Sequence, residues 1–388
     1  MSTPDAADEA LTPPSQTAVD GRTRVAVVFG GRSPEHGVSC LTAADVIAAI
    51  DPARYDVIPI GIAADGRWVL ESTDAARFRI SDGRLPEVDA TGTEIALRSS
   101  QRAELVVHEP GAIPRTLGDV DVVFPLLHGP WGEDGTLQGL LEMAAVRYVG
   151  AGVLASAVGM DKEFMKLTFA AAGLPQLPYA VVRPAQWEHD RAAVREAVDS
   201  LGYPVFVKPA RAGSSFGISR VEAAGDVEQA IEHARRFDPK VLVEAAALQA
   251  REVECGVLEG IDGGRPEASV VGEIRLHPSA QHTFYDFEAK YVDGTASLEA
   301  PADLPDALGE QLRHWAVRAF EAIGGEGLAR VDFFVLGHDR AVVNEINTMP
   351  GFTPTSMFPR AWAASGLDYP GLVDRLITAA LQRGTGLR

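Results

Sequence analysis

Residues 328 to 351, "LARVDFFVLGHDRAVVNEINTMPG", bring two carboxylates, an amide and a guanidinium within reach of one another. "VDFFVL" and "AVVNEIN" have the β-branched and aromatic content of strands and flank "GHDR", so the stretch reads as a β-hairpin. With the loop centred between His338 and Asp339, Asp332 lies opposite Glu345 and Arg330 opposite Asn347, all four on one face. Carboxylates facing each other at about 5 Å repel unless a cation lies between them. Two carboxylates and an amide oxygen suit a hard Mg²⁺ ion that also holds nucleotide phosphates. The alternative is a solvated polar sheet face. Against it, Phe333, Val335 and Val342 make the opposite face apolar, and Arg330 shares the face of the acids. A one-residue change of register would separate the acids onto opposite faces.

Lys208-Pro209 precedes the loop Gly213-Ser214-Ser215-Phe216-Gly217. Its small residues let backbone N–H groups approach phosphate oxygens, and its hydroxyls add donors. It is not a Walker A sequence, because it turns into a strand rather than a helix, and a ligand-free Gly/Ser turn is an equal alternative. "TFYDFEAKYVDG", residues 283 to 294, mixes four aromatics, three carboxylates and one lysine with no helical or strand period. That is the mixture a lid over a charged ligand requires. "GGRSPEHGVS" (30 to 39) follows the first strand, where open α/β folds place ligand loops. Taken singly, Glu35 there reads better as a first-turn acid of a helix capped by Ser33 with Pro34 at its first position. His128, at a strand end in "LLHGPWGEDG", is either a site residue or a satisfied structural histidine, and alone the second reading is favoured.

These stretches need elements to hold them. "RVAVVFGG" (24 to 31) is a buried parallel strand entering a loop, "CLTAADVIAAI" (40 to 50) a helix, and "YDVIPIGI" (55 to 62) the next strand. That βαβ unit opens an α/β domain ending near residues 150 to 152. "DKEFMKLTFAAAG" (161 to 173) is a helix capped by Asp161 and stopped by Gly173 and Pro175. Strands follow at 203 to 210 and 240 to 246, then a strand-rich region with an irregular insertion, a helix at 305 to 323 and the hairpin. The chain thus divides into a disordered acidic tail (1 to 22), an N-terminal unit (23 to 150), a central unit (151 to 245) and a C-terminal unit (246 to 388).

At 388 residues, 46% hydrophobic and 23% charged, the chain is globular, and its net charge of -19 argues against nucleic acid or an anionic membrane as partner. No apolar run approaches the roughly 20 residues that span a bilayer, and the acidic N-terminus is no signal peptide. Cys40 and Cys255 stand in no metal or redox spacing, so a reducing cytoplasm is expected. Of 35 basic residues only five are lysines (Lys162, Lys166, Lys208, Lys240 and Lys290), which suggests that a lysine here is kept for its compact ammonium.

Seven stretches in order, "GGRSPEHGVS", "LLHGPWGEDGTLQG", "MDKEFMK", "VKPARAGSSFGIS", "FYDFEAKY", "ARVDFF" and "NEINTMPGFTPTSM", resemble the motifs of D-alanine-D-alanine ligases of the ATP-grasp superfamily. The resemblance spans about residues 24 to 380. It implies an α/β and α+β fold of three domains: an N-terminal open parallel-sheet domain, then two domains that grip ATP between their sheets. It implies that Lys162 and Lys208 contact ATP phosphates under the loop carrying Ser215, with Lys290 of the lid reaching the transferred phosphate. Glu244 and Glu252 match acids that hold the adenine amino group and the ribose, with Ala245 and Ala247 lining the base and Phe284 and Phe334 against its faces. Asp332, Glu345 and Asn347 match the ligands of two Mg²⁺ ions, for which Mn²⁺ can substitute.

On the substrate side the resemblance implies that Glu35 binds the ammonium of the first D-alanine, with Ser214 linking it to Tyr291. Arg330 and the Gly351 N–H match donors to the tetrahedral oxyanion, Ser356 with Met357 matches the segment that receives the second carboxylate, and His128 falls among the catalytic motifs. The implied reaction joins two D-alanines through an acyl phosphate, for peptidoglycan precursors, in a homodimeric enzyme. Ligases making D-alanyl-D-lactate lack the lid tyrosine or carry Phe, so Tyr291 favours a D-amino acid acceptor; D-lactate and D-serine ligases are the alternatives. "AAALQA" (245 to 250) departs from the usual hinge with its bulky residue and Gly or Pro.

Overall fold

The first strand, Thr23–Gly30, is buried over its last six residues, which only a strand flanked on both sides and covered on both faces can be. It runs parallel to Tyr55–Ile62 on one side and Val122–Pro125 on the other, and the helix His36–Ala49 makes the crossover. The computed structural model describes residues 21–81, 83–99, 103–108, 113–276 and 296–386. Apart from its last two residues, the expected acidic tail lies outside the described residues, and so does the lid stretch with Phe284, Lys290 and Tyr291.

The N-terminal sheet has eight strands, of which only the four nearest the site (55–62, 23–30, 122–125 and 147–148) are parallel. The other four, within residues 68–119, extend it as an antiparallel meander, so the sheet is mixed rather than parallel throughout. A second sheet orders Ser219–Val221, Val205–Pro209, Val241–Ala245 and Tyr179–Val182, all antiparallel. Its outer face buries Val205, Val207 and Val243 against the helices Arg191–Asp199 and Val227–Ala234. The third sheet runs Ala296–Glu299, Glu267–Leu276, Arg251–Leu258, Leu328–Leu336 and Arg340–Asn347. Leu308, Leu312, Ala316, Ala319 and Phe320, spaced by three or four along the helix Asp306–Ala322, cover its apolar face.

Alternation decides what the inner face of the third sheet offers. Val331, Phe333 and Val335 are at most 1% exposed, while Arg330, Asp332 and Phe334 point the other way, toward the second sheet. Packing crosses the linear division of the chain. Ala151, Ala155, Met165 and Phe169 belong to the core of the third sheet although they precede the central strands. Leu372, Leu376 and Ile377 of the last helix, Tyr369–Gln382, pack with Val25, Val27 and Phe29 of the first strand.

Candidate active site

A cavity of about 500 Å³ opens between the second and third sheets and reaches the loops that follow the parallel strands of the first. Its N-terminal wall is Glu35, 7% exposed, at the N-cap position of the helix His36–Ala49. Ser33 is not the cap expected from sequence. Its Oγ accepts the Glu35 N–H at 3.2 Å in a turn before the helix, which leaves the Glu35 carboxylate for the cavity. The Ser214 hydroxyl donates to Glu35 Oε1, joining the Gly/Ser loop to this wall. A Cβ on Gly129 would lie 2.5 Å from Glu35 Oε2, and one on Gly213 2.8 Å from it, so both positions need glycine for the carboxylate to sit there.

His128, 4% exposed, spends both ring nitrogens on the protein: Nδ1 with the Met349 carbonyl at 3.1 Å and Nε2 with the Thr42 hydroxyl at 3.4 Å. Burial holds it below the ordinary histidine value, and it stands under the 349–351 turn where it also lines the cavity. Glu133 does similar work. Its carboxylate accepts the Gly129 N–H at 2.5 Å and the Met349 N–H at 3.1 Å, and burial followed by the charge of Glu35 pushes it up to about 8.

Lys208 of the second sheet and Lys162 and Lys166 of the helix Lys162–Ala171 form a cluster of lysines. Lys208 Nζ lies 2.7 Å from Glu244 Oε2 and Lys166 Nζ 2.5 Å from Glu244 Oε1. Burial acts against the charge of Glu244, but the two lysines bring its carboxyl below the ordinary value overall. Burial likewise opposes the charge on Lys208, and Glu244 raises it. Both Glu244 oxygens are thus already engaged by lysines, Lys166 from behind and Lys208 from the cavity side. Lys162, first residue of the helix after the Asp161 cap, reaches the Ala212 carbonyl at 3.0 Å and Glu345 Oε2 at 3.6 Å. Ser214 and Ser215 both take left-handed backbone angles (φ 45° and 59°), turning the loop over these cations. Ala245, Ala247, Glu252 and Phe334 line the same cavity.

The hairpin brings Asp332 opposite Glu345 and Arg330 opposite Asn347, as the sequence predicts, but by a different route. Near the loop the pairs are Leu336 with Arg340 and Phe333 with Val343, centred on His338. That register alone would set Asp332 against Asn344. A bulge at Asn344 inserts one residue and restores the Asp332–Glu345 pair. Val342 is therefore not on the apolar face; it pairs with Phe334, and Val343 takes the buried place.

Arg330 grips both Asp332 oxygens at 2.7 Å and lies 3.1 Å from Glu254 Oε2. Burial works against its charge, but these carboxylates hold it well above the ordinary value. The Asn347 amide donates to Asp332 Oδ2 at 3.0 Å. Ser356 sits at the N-cap of the helix Met357–Ala364, its hydroxyl 2.8 Å from that of Thr353, and it lines the cavity with Gly351.

Among the described residues no three His, Cys, Asp or Glu form a metal cluster; the hairpin offers two carboxylates and an amide. That oxygen set nonetheless fits hard divalent cations. Charge supports the fit: seven acidic side chains among the described residues line the cavity, and with Glu133 pushed up to about 8 the other six still outnumber the four lysines and arginines. A nucleotide would add further negative charge, which only cations can balance.

Sequence reasoning missed Glu133, Lys166, Phe206 and Glu254. Glu254 was legible in principle, two residues beyond Glu252 and so on the same strand face. Phe206 precedes Lys208 by the same step, and Lys166 was one of only five lysines.

Comparison with known proteins agrees along the chain. The family described as D-ala D-ala ligase N-terminus matches residues 24–151, and D-ala D-ala ligase C-terminus matches residues 168–378. A D-alanine--D-alanine ligase of Kineococcus radiotolerans is 59% identical over 375 residues, covering 95% of this chain and 99% of that one. One of Paenarthrobacter aurescens is 56% identical over 374 residues, covering 96% and 98%. Among solved structures, the D-alanine-D-alanine ligase from Coxiella burnetii superposes with a TM-score of 0.77 at 32% identity, covering 93% of this chain and 94% of that one. The VanG D-Ala:D-Ser ligase from Enterococcus faecalis gives 0.78, also at 32% identity, covering 92% and 99%.

Proposed function

The chain belongs to the D-alanine-D-alanine ligase family of ATP-grasp enzymes, and from that premise we propose how its own residues carry the reaction. It is an ATP-dependent ligase that joins two D-alanines into D-alanyl-D-alanine for peptidoglycan precursors. ATP lies in the cavity between the second and third sheets. Lys208, Lys162 and the N–H groups of residues 213–217 hold its phosphates, and Ala245, Ala247 and Phe334 pack around the base. Glu252 holds the ribose, and Glu244 holds the adenine amino group or, through Lys208, the phosphates.

Asp332, Glu345 and Asn347 would hold Mg²⁺, with Mn²⁺ as substitute. The cations supply charge neutralisation at the transferred phosphate. Asp332 would give up its forked pair with Arg330 to hold a cation, and Glu254 is at hand to keep the guanidinium in place. Glu35 takes the ammonium of the first D-alanine, held in aim by Ser214. Arg330, freed from Asp332, and the Gly351 N–H donate to the oxyanion formed when the second amine attacks. Ser356 and the helix behind it receive the second carboxylate. Lys290 and Tyr291 complete the site from the lid, excluding water from the acyl phosphate. Residues 23–150 act as the substrate unit, and 151–245 and 246–388 as the two lobes of the grasp.

The register of the hairpin carries this reading: it sets Asp332 against Glu345 on the face that looks across the cavity at Lys208. ADP release and dipeptide formation with D-alanine alone, with D-alanine plus D-lactate, and with D-alanine plus D-serine test it. D-alanyl-D-alanine as the main product is expected; a mixed product dominating at equal acceptor concentration would move the acceptor assignment to one of the alternatives. We also take the enzyme to be a cytoplasmic homodimer. Light scattering at micromolar protein should give twice the 41.2 kDa chain mass, and a single-chain mass would reject the dimer.

A further inference from the structure

Lys166 is the one lysine of the cleft that no step above uses. It stands one turn after Lys162 on the helix Lys162–Ala171, so the two ammonium groups leave the same side of that helix. Lys162 reaches the cavity, whereas Lys166 is 1% exposed and does not line it. Its Nζ ends 2.5 Å from Glu244 Oε1 and 5.4 Å from the centre of the Tyr179 ring. The approach to Glu244 is one of charge to charge, since neither atom finds hydrogen-bond geometry there. A lysine this deep is costly, and a methionine of similar length would pack the same space without the cost. Something else keeps the ammonium there.

We propose that Lys166 is a positioning residue for ATP: buried behind Glu244, it supplies the positive charge that leaves Lys208 free to serve the phosphates. The inference rests on the nucleotide site described above. Lys208 alone with Glu244 is a neutral pair whose ammonium is held by its own carboxylate at 2.7 Å. With Lys166 on the other oxygen the group of three carries one net positive charge, presented to the cavity only through Lys208. Lys166 therefore acts through Glu244 without touching ligand. The ionised state of Glu244 is consistent with this, since the two lysines bring its carboxyl below the ordinary value against the pull of burial. Burial draws Lys166 itself below the ordinary lysine value, and contact with the ionised Glu244 opposes that.

The test is binding of ATP, ADP and adenosine by calorimetry to the full chain and to K166M, K166R and the double variant K166M/E244Q. Wild type must bind ATP far more tightly than adenosine; if it does not, the nucleotide-site reading fails before the inference is reached. In K166M, ATP affinity is expected to fall by about 10- to 100-fold, ADP less, and adenosine by less than about twofold. K166R should keep most of the ATP affinity. The double variant removes one charge of each sign, restores the net positive charge on Lys208, and should regain affinity for ATP relative to adenosine over K166M. Equal losses for ATP and adenosine in K166M would make Lys166 a packing residue and overturn the proposal. So would an unchanged ATP affinity, or a double variant with a poorer ATP-to-adenosine ratio than K166M. If K166M does not fold, K166R and the double variant decide by the same ratio.

Discussion

The two walls of the cleft are both built from buried ion pairs, but with opposite balances. At the second sheet Glu244 is shared by Lys208 of the same sheet and Lys166 of the helix Lys162–Ala171, so the three are left with a positive charge. On the third sheet one arginine is shared by Asp332 and Glu254, with Glu345 beside them, and the wall is left negative. Each wall is incomplete alone, because a buried charge without a partner is expensive. In the proposed function a polyanion with its divalent cations would complete both at once, the phosphates on the lysine wall and the cations on the acid wall. The difference teaches that the site is specified by charge balance across the cavity as much as by any single residue.

That contrast can be broken from either side. The largest effect is expected on the acid wall: Asp332→Asn removes the proposed cation ligand and the partner of Arg330, and D-alanine-dependent ADP release should fall by about three orders of magnitude. An effect below about tenfold would mean that the hairpin does not hold the cation. Arg330→Lys keeps the charge but loses the forked pair with Asp332, and kcat should fall by about 10²-fold. Were KM for D-alanine to rise with kcat intact, Arg330 would be a ground-state contact and its oxyanion role would be withdrawn.

The substrate wall answers more gently. In Gly129→Ala the new Cβ would lie 2.5 Å from Glu35 Oε2 at a φ of +75°, so the carboxylate must shift. KM for D-alanine should rise about tenfold, with ATP affinity little changed. Equal loss for both ligands would point to general unfolding of the turn instead.

The smallest effect concerns pH. The Glu133 carboxyl is moved from 4.5 to about 8 in the fold, so the native state binds its proton more tightly than the unfolded chain does. Its contribution is full at low pH and is lost as pH rises from about 4.5 through about 8. Thermal unfolding of Glu133→Gln between pH 5.5 and 8.5 should therefore show a flatter decline than wild type, with the gain at the alkaline end. Parallel curves for the two proteins would show that Glu133 titrates normally.

Much of this was legible beforehand because chemistry and period coincide in short stretches. The first βαβ unit, the Asp161 cap and the hairpin all follow from residue type and spacing. Where reading fell short, the missing information was three-dimensional. The loop turns on His338, one half-step from the expected centre, and the bulge at Asn344 that corrects it leaves no mark in composition. Val342 was assigned to the apolar face for that reason. Strands within 68–119 alternate weakly and were not anticipated as half of the first sheet. Lys166 and Glu133 could be seen as residues but not as buried ones, since burial depends on which helix covers which sheet. His128 taken alone read better as a structural histidine and was placed among the catalytic residues only by resemblance; both its ring nitrogens meet protein partners.

The most direct test of the two-wall account is the number of Mn²⁺ ions held by the full chain with ATP bound, measured by electron paramagnetic resonance of the free ion. Wild type should take up two tightly, Glu345→Gln should lose at least one of them, and Lys166→Met should weaken both only as far as it weakens ATP. Unchanged Mn²⁺ uptake in Glu345→Gln would contradict the account, because the cations would then be held by the nucleotide alone and the acid wall would have no part in completing the site.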